Sequence, residues 1–186
     1  MKYEKVFTEF FSKQFIFEIS DARRFLLKLG ANEPYVRVML HNMVVSKKIY
    51  RVGNGTYTFN KNEAVIGFAF RPFYYGLQYA LTIRKIWTQQ SIPIIITKTK
   101  ANTGFRNSMN TRILVRRIND KGFFGFDFVN YGGIFVPVSD PEKTYLDLSY
   151  YKIKIDDDTM SLLKDKIDEL KLKEYSKKFF TNGLGR

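Results

Sequence analysis

"NEPYVRVMLHNMVVSKKIYRVGNGTYTFN", residues 32 to 60, changes its periodicity part-way along, and that change sets the fold of the N-terminal part. Asn32 sits where an N-cap accepts an orphan amide, and Pro34 lies in the first turn, where its missing amide costs nothing. At helical spacing Val36, Leu40, Met43 and Val44 form an inward stripe. Pro34, Arg37, Val38, His41 and Val45 then face outward, with Tyr35 and Asn42 on one flank. After Lys48 the period drops to two. "KIYRVGNGTYTFN" places Gly53, Asn54 and Gly55 between two runs rich in Tyr, Ile, Val and Thr, the pattern of a tight β-hairpin.

Two shorter amphipathic helices precede this unit. Phe7, Phe10 and Phe11 recur at helical spacing in "YEKVFTEFFSK", and "SDARRFLLKLG" offers Ser20 as an N-cap and Gly30 as a stop. Helix, helix, helix, hairpin is the order of a winged helix-turn-helix. In that frame Arg23, Arg24 and Lys28 on the second helix, and Lys47, Lys48, Arg51 and Asn54 at the hairpin, are candidate backbone contacts. The outward face of the third helix is the candidate reader of bases. An Arg such as Arg37 can bond guanine bidentately, an Asn such as Asn42 can do the same to adenine, and Val38 can meet a thymine methyl, with Tyr35 and His41 completing the candidate set. The alternatives are a solvated face, or Val38 and Val45 packing on the rest of the chain. His41 is equally a DNA contact or a satisfied, half-buried histidine.

Charge favours a polyanionic partner. Across 186 residues, 31 Lys and Arg against 18 Asp and Glu leave +13. The excess is uneven: residues 71 to 121 carry 10 basic side chains and 1 acidic, whereas residues 122 to 186 carry 10 and 11. Lys98, Arg112 and Arg116 are therefore a candidate second basic surface that tracks flanking phosphates. The absence of Cys and the single His exclude disulfides, thiolate chemistry and His-rich zinc sites. No apolar run approaches the roughly 18 residues that cross a bilayer, and the N-terminus has no signal-peptide core, so a cytoplasmic protein is expected.

Texture changes after residue 60, giving an expected division into residues 1–60 and a mixed α+β region, 61–186. "RPFYYGLQYALTIRKIW" reads as a helix begun after Pro72, "SIPIIITKTK" as a buried strand, and "NTRILVRRI", "GFFGFDFV" and "GGIFVPV" as three more strands. "AVIGFAF" fits a strand or a short helix. The chain closes in one or two helices with Met160, Leu163, Ile167 and Leu170 as a core stripe.

"VSDPEKTYLDLSYY", residues 138 to 151, is the one stretch that resembles chemistry. Ser139 and Glu142, three apart around Pro141 and ahead of an apolar run, have the form of a capping box, with Asp140 adding charge that suits the helix dipole. The alternative is a metal-dependent nuclease using Asp127, Asp140, Glu142 and Lys143. A third possibility is an RNA-binding protein that stacks bases on "FFGF". The cap is favoured, with neither catalysis nor a cofactor expected.

The succession "YYGLQYAL", "TQQSIPIIITKTK", "FFGF" and "VSDPEKTYLDL" behind a winged helix-turn-helix resembles the AbiEi-type antitoxin and transcriptional regulator family of abortive-infection systems, over roughly residues 5 to 150. The resemblance implies an N-terminal domain that binds double-stranded promoter DNA and represses its own operon. It also implies a C-terminal domain required for antitoxicity, and a nucleotidyltransferase-like toxin as functional partner. A monomer or a homodimer fits this role, and no catalytic residue is implied.

Overall fold

The structure, a computed structural model, describes residues 2–180. Its chain divides into two compact units. The first runs to Ala69 and includes Ser108–Thr111; the second comprises Phe70–Asn107 and the chain from Arg112 onward.

In the first unit, α1 (Glu4–Phe11), α2 (Ile19–Lys28) and α3 (Glu33–Val45) are followed by β2 (Tyr50–Gly53) and β3 (Thr56–Thr58). A two-residue strand, β1 (Phe17–Glu18), joins the hairpin in a three-stranded antiparallel sheet of order β1-β3-β2. The core is aromatic. Phe7, Phe11 and Phe17 are buried and in mutual ring contact, with Ala22, Leu26, Val36, Met39, Leu40 and Met43 closing around them. Gly30 ends α2 at φ +86°, while the amides of Gly30 and Ala31 return to the carbonyls of Leu27 and Leu26 in a Schellman turn. Gly55 has φ +71°, and a Cβ there would lie 3.2 Å from Ile19, so the hairpin turn closes onto the start of α2.

Two helix starts differ in how they follow the sequence. Asn32 caps α3 as anticipated, its side chain accepting from the Tyr35 amide at 2.9 Å. Ser20 does not cap α2: Glu18 occupies that position without a side-chain hydrogen bond, because β1 delivers the chain straight into the helix. "AVIGFAF" forms a 3-10 helix, Glu63–Phe70, with Ala64, Val65 and Ile66 fully buried.

The second unit is mixed α and β. Its six-stranded mixed sheet has the order β6-β7-β5-β4-β9-β8, built from β4 (Phe73–Tyr75), β5 (Ile94–Thr97), β6 (Gly104–Ser108), β7 (Thr111–Arg117), β8 (Phe126–Tyr131) and β9 (Ile134–Ser139). Pairing is parallel for β4/β9 and β5/β7, and antiparallel for β4/β5 and β8/β9. The helix expected directly after Pro72 is preceded by β4, and α4 (Leu77–Ile83) begins only beyond Gly76. Three consecutive aromatics buried on both faces of a central strand carry no helical period. Leu170 leaves the expected C-terminal stripe. The chain breaks between α6 (Asp157–Lys164) and α7 (Glu169–Phe180), so Leu163 is buried while Leu170 is 82% exposed.

Candidate nucleic-acid interface

Helix α3 buries Val36, Met39, Leu40 and Met43, which turns the stripe slightly from the expected one: Met39 is inside and Val44 half-buried. The opposite face is open. Arg37, Val38, His41 and Asn42 are exposed, with Val38 at 55% and Val45 at 67%. Beside this face a groove runs between α3 and the hairpin, lined by Arg37, Leu40, His41 and Val44 from the helix, Arg51 and Tyr57 from the hairpin, and Ile19 from α2. Two concavities share Arg37 with it: one lined also by Glu33, Pro34 and Val38, the other also by Ile19, Ser20, Arg23, Glu33 and Val36. Arg37 borders all three.

Among the described residues, neither Arg37 nor His41 has a hydrogen-bonding or ionic partner within the protein. Arg51 donates through Nε to the carbonyl of Gly53 at 3.3 Å, which leaves its terminal nitrogens directed at no protein carboxylate. Asn54 is exposed at the tip of the same hairpin. Lys47 follows α3 at φ +55°, a left-handed position that costs a side-chain-bearing residue about 1 kcal/mol. Ile19 and Tyr57, which complete the groove, carry no sequence signal. They are brought in by the pairing of β1 with β3.

Other expected contacts are committed elsewhere. Tyr35 turns toward the start of α1: its hydroxyl accepts from the Tyr3 amide at 3.2 Å and the two rings meet edge to face, so it braces the helix. Lys48 pairs with Glu4, and Arg23 with Glu33. Both cations remain exposed, so each pair contributes little and either is open to exchange for a phosphate. Arg24 and Lys28 line a separate concavity against Phe10, Phe11 and Phe25, sharing no residue with the Arg37 groove.

The Ser139 region is a structural joint. Helix α5 (Pro141–Tyr150) starts as expected, but its N-cap is Asp140, which accepts from the Lys143 amide at 2.8 Å. Ser139 ends β9, fully buried, with its hydroxyl 2.7 Å from that of Thr144. Glu142 does not reach back to close a capping box. It accepts from the Asp168 amide at 2.8 Å and pairs with Lys171 at 2.9 Å, both at the start of α7. Lys171 also lies 3.0 Å from Asp140, which accepts in addition from the Tyr175 hydroxyl at 3.0 Å. The strand register carries Ser139 one residue too far for the cap.

Lys143 is fully buried. It pairs with Asp147, donates to the Tyr74 hydroxyl at 2.9 Å and lies under the rings of Phe124 and Phe179. Tyr74 donates in turn to Asp147 at 2.9 Å. Burial pushes the Asp147 carboxyl up, the Lys143 ammonium down and the Tyr74 hydroxyl well up. Asp127 is apart from this cluster, paired with Arg84, which also donates to the carbonyls of Ser139 and Val138. Among the described residues no group of three or more His, Asp or Glu side chains is placed to hold a metal ion. "FFGF" is half-buried and its rings are engaged within the unit: Phe123 and Phe126 pack on Tyr74, and Phe124 on Tyr175 and Phe179. Gly125 has φ +71°, where a Cβ would lie 2.8 Å from Lys143 and Tyr175.

The second basic set is engaged within the protein. Lys98 pairs with Asp120 at 2.9 Å, Arg116 lies over Tyr151, and Arg112 is stacked over the ring of Phe105. No helix among the described residues is long and apolar enough to cross a membrane. A scan against protein-family models gave no match, and a search of curated proteins found no similar sequence.

Proposed function

We propose that this chain is a sequence-specific DNA-binding transcriptional repressor of the AbiEi antitoxin type. In this reading the first unit is a winged helix-turn-helix, with α3 in the major groove and the β2–β3 hairpin as the wing. The observation that carries it is the groove in which Arg37, His41 and Arg51 converge without carboxylate partners, on a chain of +13. A guanidinium left unpaired on a helix face is free to take two acceptors of a guanine edge, while Arg51 and Lys47 take phosphates. Repression follows from occupancy of the promoter. Under the same reading the second unit serves antitoxicity against a nucleotidyltransferase-like toxin encoded nearby.

Selection from a random duplex library tests the DNA-binding core of this proposal. Wild-type protein enriches a defined motif, and Arg37→Ala loses that enrichment while retaining weak general binding. Each good bidentate pair is worth about 1–3 kcal/mol of discrimination, so preference at one base position falls by about tenfold or more. Absence of any enriched motif with wild-type protein overturns the reading.

A further inference from the structure

We propose that the edge of the six-stranded sheet formed by β6 and β7 binds single-stranded nucleic acid, with the Phe105 ring stacking on an unpaired base and Arg112 holding phosphate. Strand β6 is the outermost strand on this side. Its burial alternates: Phe105 and Asn107 are exposed on one face, while Arg106 and Ser108 turn to the other, Arg106 lying over the ring of Phe70. Phe105 is 59% exposed, and the Arg112 guanidinium sits 4.1 Å from its ring centroid. Arg112 covers one face of the ring. The other is left to solvent.

Three features select a nucleic acid strand. Of the side chains that strand alternation places on the Phe105 face, Arg112 and Asn107 are exposed and Leu114 is buried, so the ring does not form part of a hydrophobic protein-docking patch. In residues 71 to 121 the single acidic residue, Asp120, is paired with Lys98, which leaves nothing acidic in that stretch to neutralise Arg112. Arg116, four residues along β7, falls on the same face as Arg112 by strand alternation and, half-buried over Tyr151, adds a second positive charge to that face. An exposed ring joined to a guanidinium is the combination that stacks a base and grips its phosphate. Duplex bases present only their edges, so the ring selects an unstacked base. DNA and RNA strands share this chemistry.

The test uses the full chain and a 2-aminopurine-labelled oligonucleotide, as DNA, as RNA, and annealed to its complement. Wild-type protein binds both single strands and quenches the probe by stacking. Phe105→Leu keeps apolar bulk but removes the π face; it loses about tenfold in single-strand affinity, and the quench with it, while duplex affinity stays unchanged. Arg112→Ala weakens single-strand binding and flattens its salt dependence by about 0.7 for each phosphate it no longer holds. Arg37→Ala weakens duplex binding alone, which keeps this site distinguishable from the α3 groove. Failure of wild-type protein to bind either strand, or equal binding and quenching by Phe105→Leu, overturns the proposal. So does loss of single-strand binding in Arg37→Ala, which would place the strands in the groove.

Discussion

Lys143 and Asp147, one helical turn apart on α5, form an ion pair from which solvent is wholly excluded. Tyr74 closes the triangle from β4, and Phe179 of α7 lies over the ammonium. The lysine that suggests catalysis in the sequence is thus the buried pin between sheet and helices. Each charged group has its partner. Low dielectric makes such a network costly to half-remove.

Lys143→Met should therefore lower unfolding free energy by about 3–5 kcal/mol, because it strands a buried carboxylate. The triple variant Tyr74→Phe/Lys143→Met/Asp147→Leu should recover much of that stability, since apolar groups of similar volume replace the whole network. Urea denaturation of both measures this. A single variant as stable as wild type would show that water reaches the pair.

Asp140 takes the capping role that sequence spacing assigns to Ser139, and the alanine variants of the two should reveal it. Ser139→Ala removes one buried hydrogen bond, worth about 1 kcal/mol. Asp140→Ala removes the α5 cap, worth about 0.5–2 kcal/mol, together with the acceptor of Tyr175 and the partner of Lys171. The second variant should melt lower than the first. Asp140→Asn, which keeps a capping oxygen, should fall between wild type and alanine. Equal melting temperatures for the two alanine variants would deny the Asp140 cap.

What the sequence makes legible is local. The three N-terminal helices, the Gly53-Asn54-Gly55 hairpin, the Asn32 cap, the Gly30 stop and the Ile94–Thr97 strand each depend on residues within a few positions of one another. Sequence and structure part where a distant element decides. The Tyr3–Tyr35 contact is not legible because nothing in the neighbourhood of Tyr35 predicts Tyr3, and Leu170 reads as core because the break between α6 and α7 resets the helical phase. β4 and β6 escape the pattern, since one is buried on both faces and the other is a short polar edge. Of the groove, Arg37, His41 and Arg51 are legible by periodicity, whereas Ile19 and Tyr57 require the β1–β3 pairing.

The joint between α5 and α7 should set the pH range of stability. Burial alone would raise the Glu142 carboxyl, but the Asp168 amide and the Lys171 ammonium outweigh it and hold it below the usual glutamate range. A depressed carboxyl stabilises the fold above its unfolded value of about 4.3, and that contribution is lost as pH falls through the native value. Lys171 is opposite in sign. Burial opposes its charge, yet Glu142 and Asp140 push it up, so its contribution is complete below about pH 10.4 and lost as pH rises through the native value. Glu142→Gln should then be less stable than wild type across about pH 5 to 9, with the gap closing as pH falls below the unfolded value of about 4.3. A gap that stays constant over that acid range in chemical denaturation would show that Glu142 acts through packing alone.

Arg51 and Lys28 carry the same charge in the first unit, yet only Arg51 borders the groove that contains Arg37. On the proposed geometry Arg51→Ala releases one fewer counterion on binding a duplex, so the plot of log affinity against log salt should flatten by about 0.9. Affinity should fall similarly for selected and random duplexes, because a phosphate contact carries no sequence information. Lys28→Ala should leave the slope unchanged, since it lines the Phe10 and Phe25 concavity. Lys48→Ala should lie between them, because Lys48 must leave Glu4 before it can take a phosphate. Fluorescence anisotropy titrations from about 50 to 200 mM salt resolve slopes of this size. A slope reduced by Lys28→Ala and untouched by Arg51→Ala would move the duplex from the α3–hairpin groove to the α1–α2 side, and would remove Arg37 from the interface with it.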